Sequence, residues 1–87
     1  MYYVYLLLLK DKKIYTGRCN DLKRRFYEHN QRKVESTKNH LPAKLIYYEA
    51  YLSKKDTVDR ESYLKTGDGR KEIRKQIKSF LEKYNIK

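Results

Sequence analysis

The sequence predicts a small α+β domain in which helices pack on a three-stranded antiparallel sheet, with the element order ββαβαα. A continuous apolar run from Tyr2 to Leu9 is typical of a strand that is buried on both faces and therefore central in its sheet. Near the C-terminus, apolar residues recur at helical spacing and predict one final helix, at positions Ile73, Ile77, Phe80, Leu81 and Tyr84. A chain of 87 residues provides one modest core, so we expect residues 1–87 to form a single domain.

The segment that follows the apolar run predicts a β-hairpin. Residues 10–18 continue as a polar turn and a short, β-favouring second strand. If Leu9 pairs with Tyr15, then Tyr5, Tyr15 and Gly17 lie on one face of the hairpin, because side chains alternate along a strand. A register shift of one residue would separate them.

The first helix is predicted between two asparagines. Asn20 is a favourable N-cap, and Asp21 in the first turn suits the helix dipole. Leu22 and Phe26, four residues apart, form a narrow inward stripe. We expect this helix to end near Asn30.

The second half of the chain predicts a third strand followed by helices. Residues 44–51 have the composition of a strand. Ser53 is expected to cap a helix that continues to about Thr66, and the glycines in residues 67–69 are expected to break it.

The positive charge of +11 is concentrated in two segments. Residues 10–33 carry a net charge of +6, residues 34–64 are neutral, and residues 65–87 carry +5. If the fold brings the two basic segments to one side, they form a surface suited to nucleic acid. An anionic membrane surface or an acidic protein is the alternative partner, and Lys-rich surfaces also simply keep small proteins soluble.

The composition excludes several classes of protein. No apolar run approaches the roughly 20 residues that a membrane helix needs. Cys19 is the sole cysteine, which rules out an intrachain disulfide and a cysteine-based zinc site and fits a reducing cytoplasm. No phosphate-binding P-loop, dinucleotide fingerprint or serine nucleophile elbow is present. His29 and His40 make a poor metal cluster, and we expect His40 to be a loop residue.

Arg25 and His29 are the first candidate site residues. They lie four residues apart and project from the same side of the first helix. Arginine clamps a phosphate through two parallel hydrogen bonds, and histidine transfers protons near neutral pH. On spacing alone, an ordinary solvated helix face is the favoured interpretation.

Glu61 is the second candidate. It lies three residues from both Val58 and Leu64, so it falls on or beside the inward face of its helix. A carboxylate in that position needs a cation as its partner, and one carboxylate with waters and substrate phosphate is a plausible Mg²⁺ site. The alternative is a structural salt bridge, with Arg60, Lys65 or Arg25 as the cation.

The remaining candidates are weaker. Tyr5 and Tyr15 on neighbouring strands form either part of a site or a cross-strand aromatic pair that merely packs. Gly17 either lets a phosphate approach the backbone or starts the turn. Arg70 and Lys71 stand beside the N-terminus of the last helix, where a phosphate can bind.

Taken in order, these motifs resemble the GIY-YIG nuclease superfamily, and in particular its small, single-domain bacterial branch. Tyr3-Val4-Tyr5 stands in the place of the first signature triplet and Tyr15-Thr16-Gly17 in the place of the second. Residues 20–29 match the helix that carries Arg and His, and residues 59–65 match the helix that carries the metal-binding Glu. Residues 41–49 are similar to the small bacterial branch. Tyr3, Val4 and Thr16 depart from the Gly, Ile and Ile of the family triplets.

The resemblance implies a divalent-metal-dependent endonuclease. It implies one Mg²⁺ or Mn²⁺ held by Glu61, with these catalytic residues: Tyr5, Tyr15, Arg25, His29 and Glu61. Tyr5 would act as, or help to position, the base that activates water, which requires cations to lower a tyrosine pKa that is normally about 10. Arg25 would stabilise charge in the transition state, and His29 would relay a proton or orient the water.

We expect the substrate to be DNA, held by its phosphate backbone through Gly17, Arg18, Asn20, Arg24, Lys65, Arg70 and Lys71. Without a second domain to read bases, low sequence specificity and a preference for branched, nicked or single-stranded structures are expected. A role in DNA repair, recombination or processing and a monomeric state fit this interpretation.

Two alternatives belong to other functional classes. The same charges and tyrosines would serve a nucleic-acid-binding module with little or no cleavage, with RNA as another ligand. A basic, ribosome-associated or protein-interaction factor is the third hypothesis. The full set of five catalytic candidates favours the enzyme, because binding alone does not require it.

Overall fold

In a computed structural model, which describes residues 1–86, helices cover both faces of a three-stranded antiparallel sheet. The predicted α+β class is confirmed. In chain order the elements are β1 (Tyr2–Leu8), β2 (Ile14–Cys19), α1 (Leu22–Asn30), β3 (Lys44–Tyr51), α2 (Lys54–Leu64), α3 (Gly67–Gln76) and α4 (Lys78–Lys83). The strand order is β2-β1-β3, so the apolar first strand is central, as its sequence predicts.

The register of the hairpin differs from the expected one by two residues. Leu7, rather than Leu9, pairs with Tyr15, and Tyr5 pairs with Gly17. The turn starts earlier than expected because the Leu9 amide donates to the Lys13 carbonyl at 2.9 Å and closes a loop at that point. A shift of two residues keeps every side chain on its face, so Tyr5, Tyr15 and Gly17 still share one face.

The sheet separates two apolar clusters. One contains Val4 and Leu6 of β1 together with residues of the last three helices, and its buried members are Val4, Leu6, Leu64, Ile73, Ile77, Leu81 and Ile86. The other lies under α1 and consists of Tyr5, Leu7, Leu9 and Ala43. Leu22 and Phe26 of α1 pack against this second cluster, as their spacing predicts. The alternating residues of β1 therefore serve two different faces.

α1 begins one residue later than expected. Asp21, not Asn20, is the N-cap, and its carboxylate accepts a hydrogen bond from the Arg24 amide at 3.1 Å. Both side chains are suitable caps, so composition alone does not choose between them. The helix ends at Asn30, as predicted, and the Asn30 amide exchanges two hydrogen bonds with the Ala43 backbone at 2.9 and 3.1 Å. These bonds tie the end of α1 to the start of β3.

The predicted final helix is divided into two. The break between helices comes just before residues 67–69, which were expected to form it. α2 ends at Leu64, α3 starts at Gly67, and the Thr66 hydroxyl caps the Gly69 amide. The helix then ends at Gln76, and α4 starts after Ile77, whose backbone dihedrals (φ −108°, ψ 27°) depart from the helix. Ile77 is nevertheless buried in the core, so the break leaves the four-residue spacing of apolar side chains intact. Hydrophobic periodicity cannot detect such a break.

No helix within residues 1–86 has both the length and the apolar character that crossing a membrane requires.

Candidate active site and nucleic-acid interface

A chain of buried hydrogen bonds joins β1, α1 and the loop that follows α1. The Tyr5 hydroxyl lies 2.8 Å from Nε2 of His29, and Nδ1 of His29 lies 2.7 Å from the Thr37 hydroxyl. Tyr5 is 1% exposed, and His29 and Thr37 are fully buried. Both ring nitrogens of His29 are therefore paired. Sequence patterning did not identify Thr37, because this residue lies in a polar loop without periodicity.

Burial sets the protonation of this chain. Burial, helped by the charge of Arg25, lowers the pKa of His29 to about 4, so His29 is neutral at pH 7. Burial also raises the pKa of Tyr5 to about 12, although the neighbouring Arg25 guanidinium opposes the shift. This direction is opposite to the one that the expected role of Tyr5 as a base requires.

Tyr15 brings the buried chain towards the surface. Its ring centroid lies 5.1 Å from that of His29 and 6.3 Å from that of Tyr5. Tyr15 is half-buried and also lines an open basic depression, described below. Among the three aromatic rings, it is therefore the one that a substrate can reach.

Gly17 makes room for the Tyr5 ring. A Cβ atom at this position would overlap the Tyr5 hydroxyl and lie 2.5 Å from Cζ of the same ring. Gly17 is buried, so the Tyr5 ring, and not an approaching phosphate, fills the space that a side chain would take.

Arg25 stands at the edge of the aromatic cluster. Its Nη1 lies 3.5 Å from Oε1 of Glu28, and its contact with the Tyr5 hydroxyl raises the pKa of Arg25 further. Arg24 also lies 3.5 Å from Glu28, through its Nε. The spacing of Arg25 and His29 thus places one residue half-exposed and the other fully inside, which differs from the solvated face that spacing alone favours.

Glu61 lies across the sheet from this cluster. α2 packs on the face of Val4 and Leu6, whereas Tyr5 and α1 share the opposite face. The Glu61 Oε1 is 3.2 Å from Nε of Arg18, and the Glu61 Oε2 is 3.4 Å from Nζ of Lys65. Of the predicted salt bridges, the one to Lys65 is present, whereas Arg60 and Arg25 pair with other carboxylates.

Glu61 is the carboxylate of this candidate metal site. Within residues 1–86, no three side chains of His, Cys, Asp or Glu are grouped to hold a metal ion. A single carboxylate suits Mg²⁺ or Mn²⁺, since such ions keep several waters and take further oxygens from substrate phosphates. The donor chemistry therefore fits a divalent ion, provided that Arg18 and Lys65 give up the carboxylate.

Two basic depressions flank the edge strand β2. The larger one, of about 500 Å³, contains Tyr15 and Thr16, and its basic residues are Lys12, Lys13, Lys65, Arg70 and Arg74. The smaller one, of about 300 Å³, is lined by Arg18, Asn20, Arg24, Arg25 and Glu28, among others. The larger depression thus unites residues from both basic segments of the sequence.

Glu61 connects the two depressions through its partners. Arg18 lines the smaller depression and Lys65 the larger one. Lys71 is exposed and lines neither of them. The two depressions and the Arg18–Glu61–Lys65 contacts between them are called the basic strip below.

The N-terminus of α3 is less available to phosphate than the sequence suggested. The Thr66 hydroxyl already accepts the Gly69 amide at 3.1 Å. Gly69 is buried, and a Cβ atom there would overlap the Tyr63 carbonyl, so this glycine allows α3 to pack against the end of α2. Arg70 contributes to the strip through its side chain instead.

A second charged cluster, centred on Glu49, was not predicted from the sequence. The Glu49 carboxylate accepts hydrogen bonds from Tyr47, Tyr51 and Arg60, at 2.7 Å from Tyr47 and at 2.9 and 3.1 Å from Arg60. Burial raises the pKa of Glu49, but these hydrogen bonds outweigh it and leave the pKa below its usual value. The spacing of Tyr47, Glu49 and Tyr51 on alternate positions of β3 is the signal that could have revealed it.

His40 lies in the loop between α1 and β3, as expected. Its Nδ1 is 3.5 Å from Oδ2 of Asp11 in the hairpin turn, and its carbonyl accepts the Lys10 amide at 2.8 Å.

Comparison with known proteins gives consistent matches. The GIY-YIG catalytic domain family matches residues 1–85. A UPF0213 protein from Limosilactobacillus reuteri is 35% identical over 88 residues, which cover 98% of this chain and 86% of the relative. A UPF0213 protein from Clostridium perfringens is 39% identical over 66 residues, which cover 75% of this chain and 71% of the relative.

A solved structure matches as well. The solution NMR structure of a UPF0213 protein from Bacillus halodurans has a TM-score of 0.53 and 30% identity, and the match covers 84% of this chain and 82% of that one. The resemblance predicted from the motifs is confirmed, and the family match spans all of the candidate site residues.

Proposed function

Because the chain belongs to the GIY-YIG family of nucleases, we propose that it is a divalent-metal-dependent endonuclease that hydrolyses phosphodiester bonds in DNA. The observation that carries this proposal is the basic strip, in which the Glu61 carboxylate lies between Arg18 of the smaller depression and Lys65 of the larger one. Such a surface holds the phosphate backbone and brings it to Glu61. Backbone contacts carry no base sequence, so we expect low sequence specificity and selection by structure, as in repair, recombination or processing.

Glu61 is the proposed metal ligand. A bound Mg²⁺ or Mn²⁺ supplies Lewis-acid polarisation of the scissile phosphate and charge for the leaving oxygen. The Glu61 side chain is 18% exposed, which shields the carboxylate from bulk water while leaving access along the strip.

Arg25 and Tyr15 are the proposed catalytic residues that touch the substrate. Arg25 is half-exposed in the smaller depression and presents a guanidinium to the phosphate, where it stabilises developing negative charge. Tyr15 is half-buried and is among the residues that line the larger depression, and its hydroxyl is proposed to hydrogen-bond the attacking water or the phosphate.

Tyr5 and His29 are proposed as positioning residues. Both are buried, and His29 is neutral at pH 7. The Thr37–His29–Tyr5 chain fixes the Tyr5 ring, and Tyr5 in turn supports Tyr15 and Arg25. The proton relay expected of His29 gives way to this orienting role, because burial and the neighbouring Arg25 charge disfavour the protonated ring.

The proposal is tested with labelled duplex, single-stranded and branched DNA, and with RNA, in EDTA, Mg²⁺ and Mn²⁺. We expect cutting only when a divalent ion is present, and we expect Glu61→Ala and Arg25→Ala each to lose this cutting. Circular dichroism controls for folding of the variants. Cutting that persists in EDTA, or in Glu61→Ala, would contradict the metal site.

One observation favours the alternative of a nucleic-acid-binding module without cleavage. Both oxygens of Glu61 are already engaged by cations, at 3.2 and 3.4 Å. Tight, salt-sensitive binding of DNA with no cutting under any metal, and with unchanged binding in Glu61→Ala, would establish that alternative.

A further inference from the structure

Arg18 and Lys65 hold Glu61 in different ways. Lys65 lies four residues after Glu61 on the same helix, so its contact is local. Arg18 reaches Glu61 from the edge strand β2, at 3.2 Å between Nε and Oε1. The side chain of Arg18 is 42% exposed, so it borders solvent on one side and the carboxylate on the other.

Arg18 also faces the phosphate side of the basic strip. It lines the smaller depression together with Arg24 and Arg25. A guanidinium hydrogen-bonds carboxylate and phosphate with the same planar geometry, so the two anions compete for it. Arg18 is therefore placed to serve either Glu61 or the backbone of a bound strand.

A divalent ion and Arg18 repel each other electrostatically if both bind Glu61 at the same time. The guanidinium at 3.2 Å neutralises the carboxylate and would stand next to the incoming ion, where like charges repel. Metal binding to the free protein therefore works against Arg18. An anion that draws Arg18 away removes that repulsion and leaves Lys65 as the remaining cation beside the carboxylate.

We propose that Arg18 couples substrate binding to metal binding: it occupies Glu61 in the free protein, and a backbone phosphate draws it away and frees the carboxylate for the divalent ion. This inference rests on the proposed function, because it takes Glu61 as the metal ligand. It also follows that DNA and metal strengthen the binding of each other by the same factor, since coupling between two ligands is reciprocal.

The test measures Mn²⁺ binding directly, by electron paramagnetic resonance of the free ion, with and without a short DNA duplex. All variants carry Tyr15→Phe, which leaves Arg18, Glu61 and Lys65 in place, and gels check that the DNA stays intact. In this parent we expect DNA to tighten Mn²⁺ binding by about tenfold. In Arg18→Ala we expect Mn²⁺ to bind about tenfold more tightly without DNA, and DNA to add little.

Two matched variants distinguish the loss of Arg18 from the loss of any positive charge. Lys23→Ala removes a positive charge from an exposed position of α1 that lines neither depression, so both Mn²⁺ affinities are expected to stay near those of the parent. Lys65→Ala removes the local partner of Glu61, so Mn²⁺ is expected to bind more tightly without DNA while DNA still tightens it further. Arg18→Ala that binds Mn²⁺ no more tightly than the parent, or that keeps the full effect of DNA, would overturn the proposal.

Glu61→Gln separates this inference from the proposed function. If Glu61→Gln with DNA binds as much Mn²⁺ as the parent does, beyond the Mn²⁺ that the same DNA binds alone, Glu61 is not the ligand, and both the metal site and the coupling fail. If Glu61→Gln abolishes Mn²⁺ binding while Arg18→Ala behaves like the parent, the metal site stands and the coupling alone fails.

Discussion

Glu49 and Glu61 both meet an arginine on the α2 side of the sheet, but the two carboxylates are held in different ways. Glu49 accepts four hydrogen bonds, two of them from Arg60, and its side chain is 14% exposed. Glu61 is 18% exposed and has two ion pairs, with cations that are 42% and 54% exposed.

The difference lies in the partners and not in the burial of the carboxylates. Arg60 is itself confined by Glu72, at 3.4 Å, whereas Arg18 borders an open depression. A saturated carboxylate with confined partners stabilises the fold, and a carboxylate with exposed partners can exchange them for a ligand. We call the Glu49 cluster closed and the Glu61 cluster open, and the predictions below test this distinction.

Apart from loss of the proposed metal ligand, the largest effect is expected at Arg25, which lines the smaller depression. Arg25→Ala should slow cleavage by about 10³-fold, because it removes a cation that faces the phosphate. Arg24→Ala is the matched control, since Arg24 shares Glu28 with Arg25 but is more exposed. Single-turnover rates with saturating DNA measure both variants, and equal losses in the two would mean that Arg25 has no special role.

The Tyr5–His29–Thr37 chain resembles the closed cluster in that its polar groups are buried and paired, and its stabilising effect is expected to depend on pH. The pKa of His29 is about 4 in the folded protein and about 6.5 when unfolded, so the unfolded state binds more protons between these values. The contribution of neutral His29 to the free energy of unfolding is therefore complete above about pH 6.5. It is lost as the pH falls towards 4, and the free energy of unfolding then drops by about 3 kcal/mol at most.

Urea unfolding at pH 4.5 and pH 7 measures this loss. The difference in unfolding free energy between the wild type and His29→Gln should shrink on acidification. A difference that stays constant between the two pH values would show that His29 is not held neutral by burial.

Glu49→Gln should lower the free energy of unfolding by about 2 kcal/mol at pH 7, because it removes the carboxylate that accepts two hydrogen bonds from the half-buried Arg60 and leaves it only the more distant Glu72. The pKa of Glu49 is lowered in the folded state, so its contribution is present above the usual carboxyl pKa and is lost as the pH falls below it. Chemical denaturation at pH 7 and pH 3.5 measures both effects. A variant as stable as the wild type at pH 7 would show that the closed cluster does not stabilise the fold.

The smallest effect is expected at a fully exposed ion pair. Lys55 and Asp59 on α2 are 2.9 Å apart, but their side chains are 80% and 62% exposed. Lys55→Ala should change neither thermal unfolding nor cleavage measurably, since such pairs are screened by water and salt. A clear loss of stability would show that proximity alone, without confinement, suffices for a stabilising pair in this fold.

The sequence was sufficient for the central strand and the bounds of β3, because hydrophobic patterning determines both. It left the face shared by Tyr5 and Tyr15 dependent on the hairpin register, which the structure supplies. It did not predict the Arg18–Glu61 pair, which depends on which strand α2 packs beside. Thr37 was missed for a similar reason, since a polar loop has no periodicity from which burial can be inferred.

Glu61→Gln tests the central claim most directly. The cleavage rate of branched DNA in Mg²⁺ or Mn²⁺ and the free energy of unfolding are measured on the same preparations of wild type, Glu61→Gln and Glu49→Gln. We predict that Glu61→Gln abolishes metal-dependent cleavage with little loss of stability, whereas Glu49→Gln loses stability and, while folded, still cleaves. Wild-type cleavage rates in Glu61→Gln would contradict the assignment of the open carboxylate to the reaction.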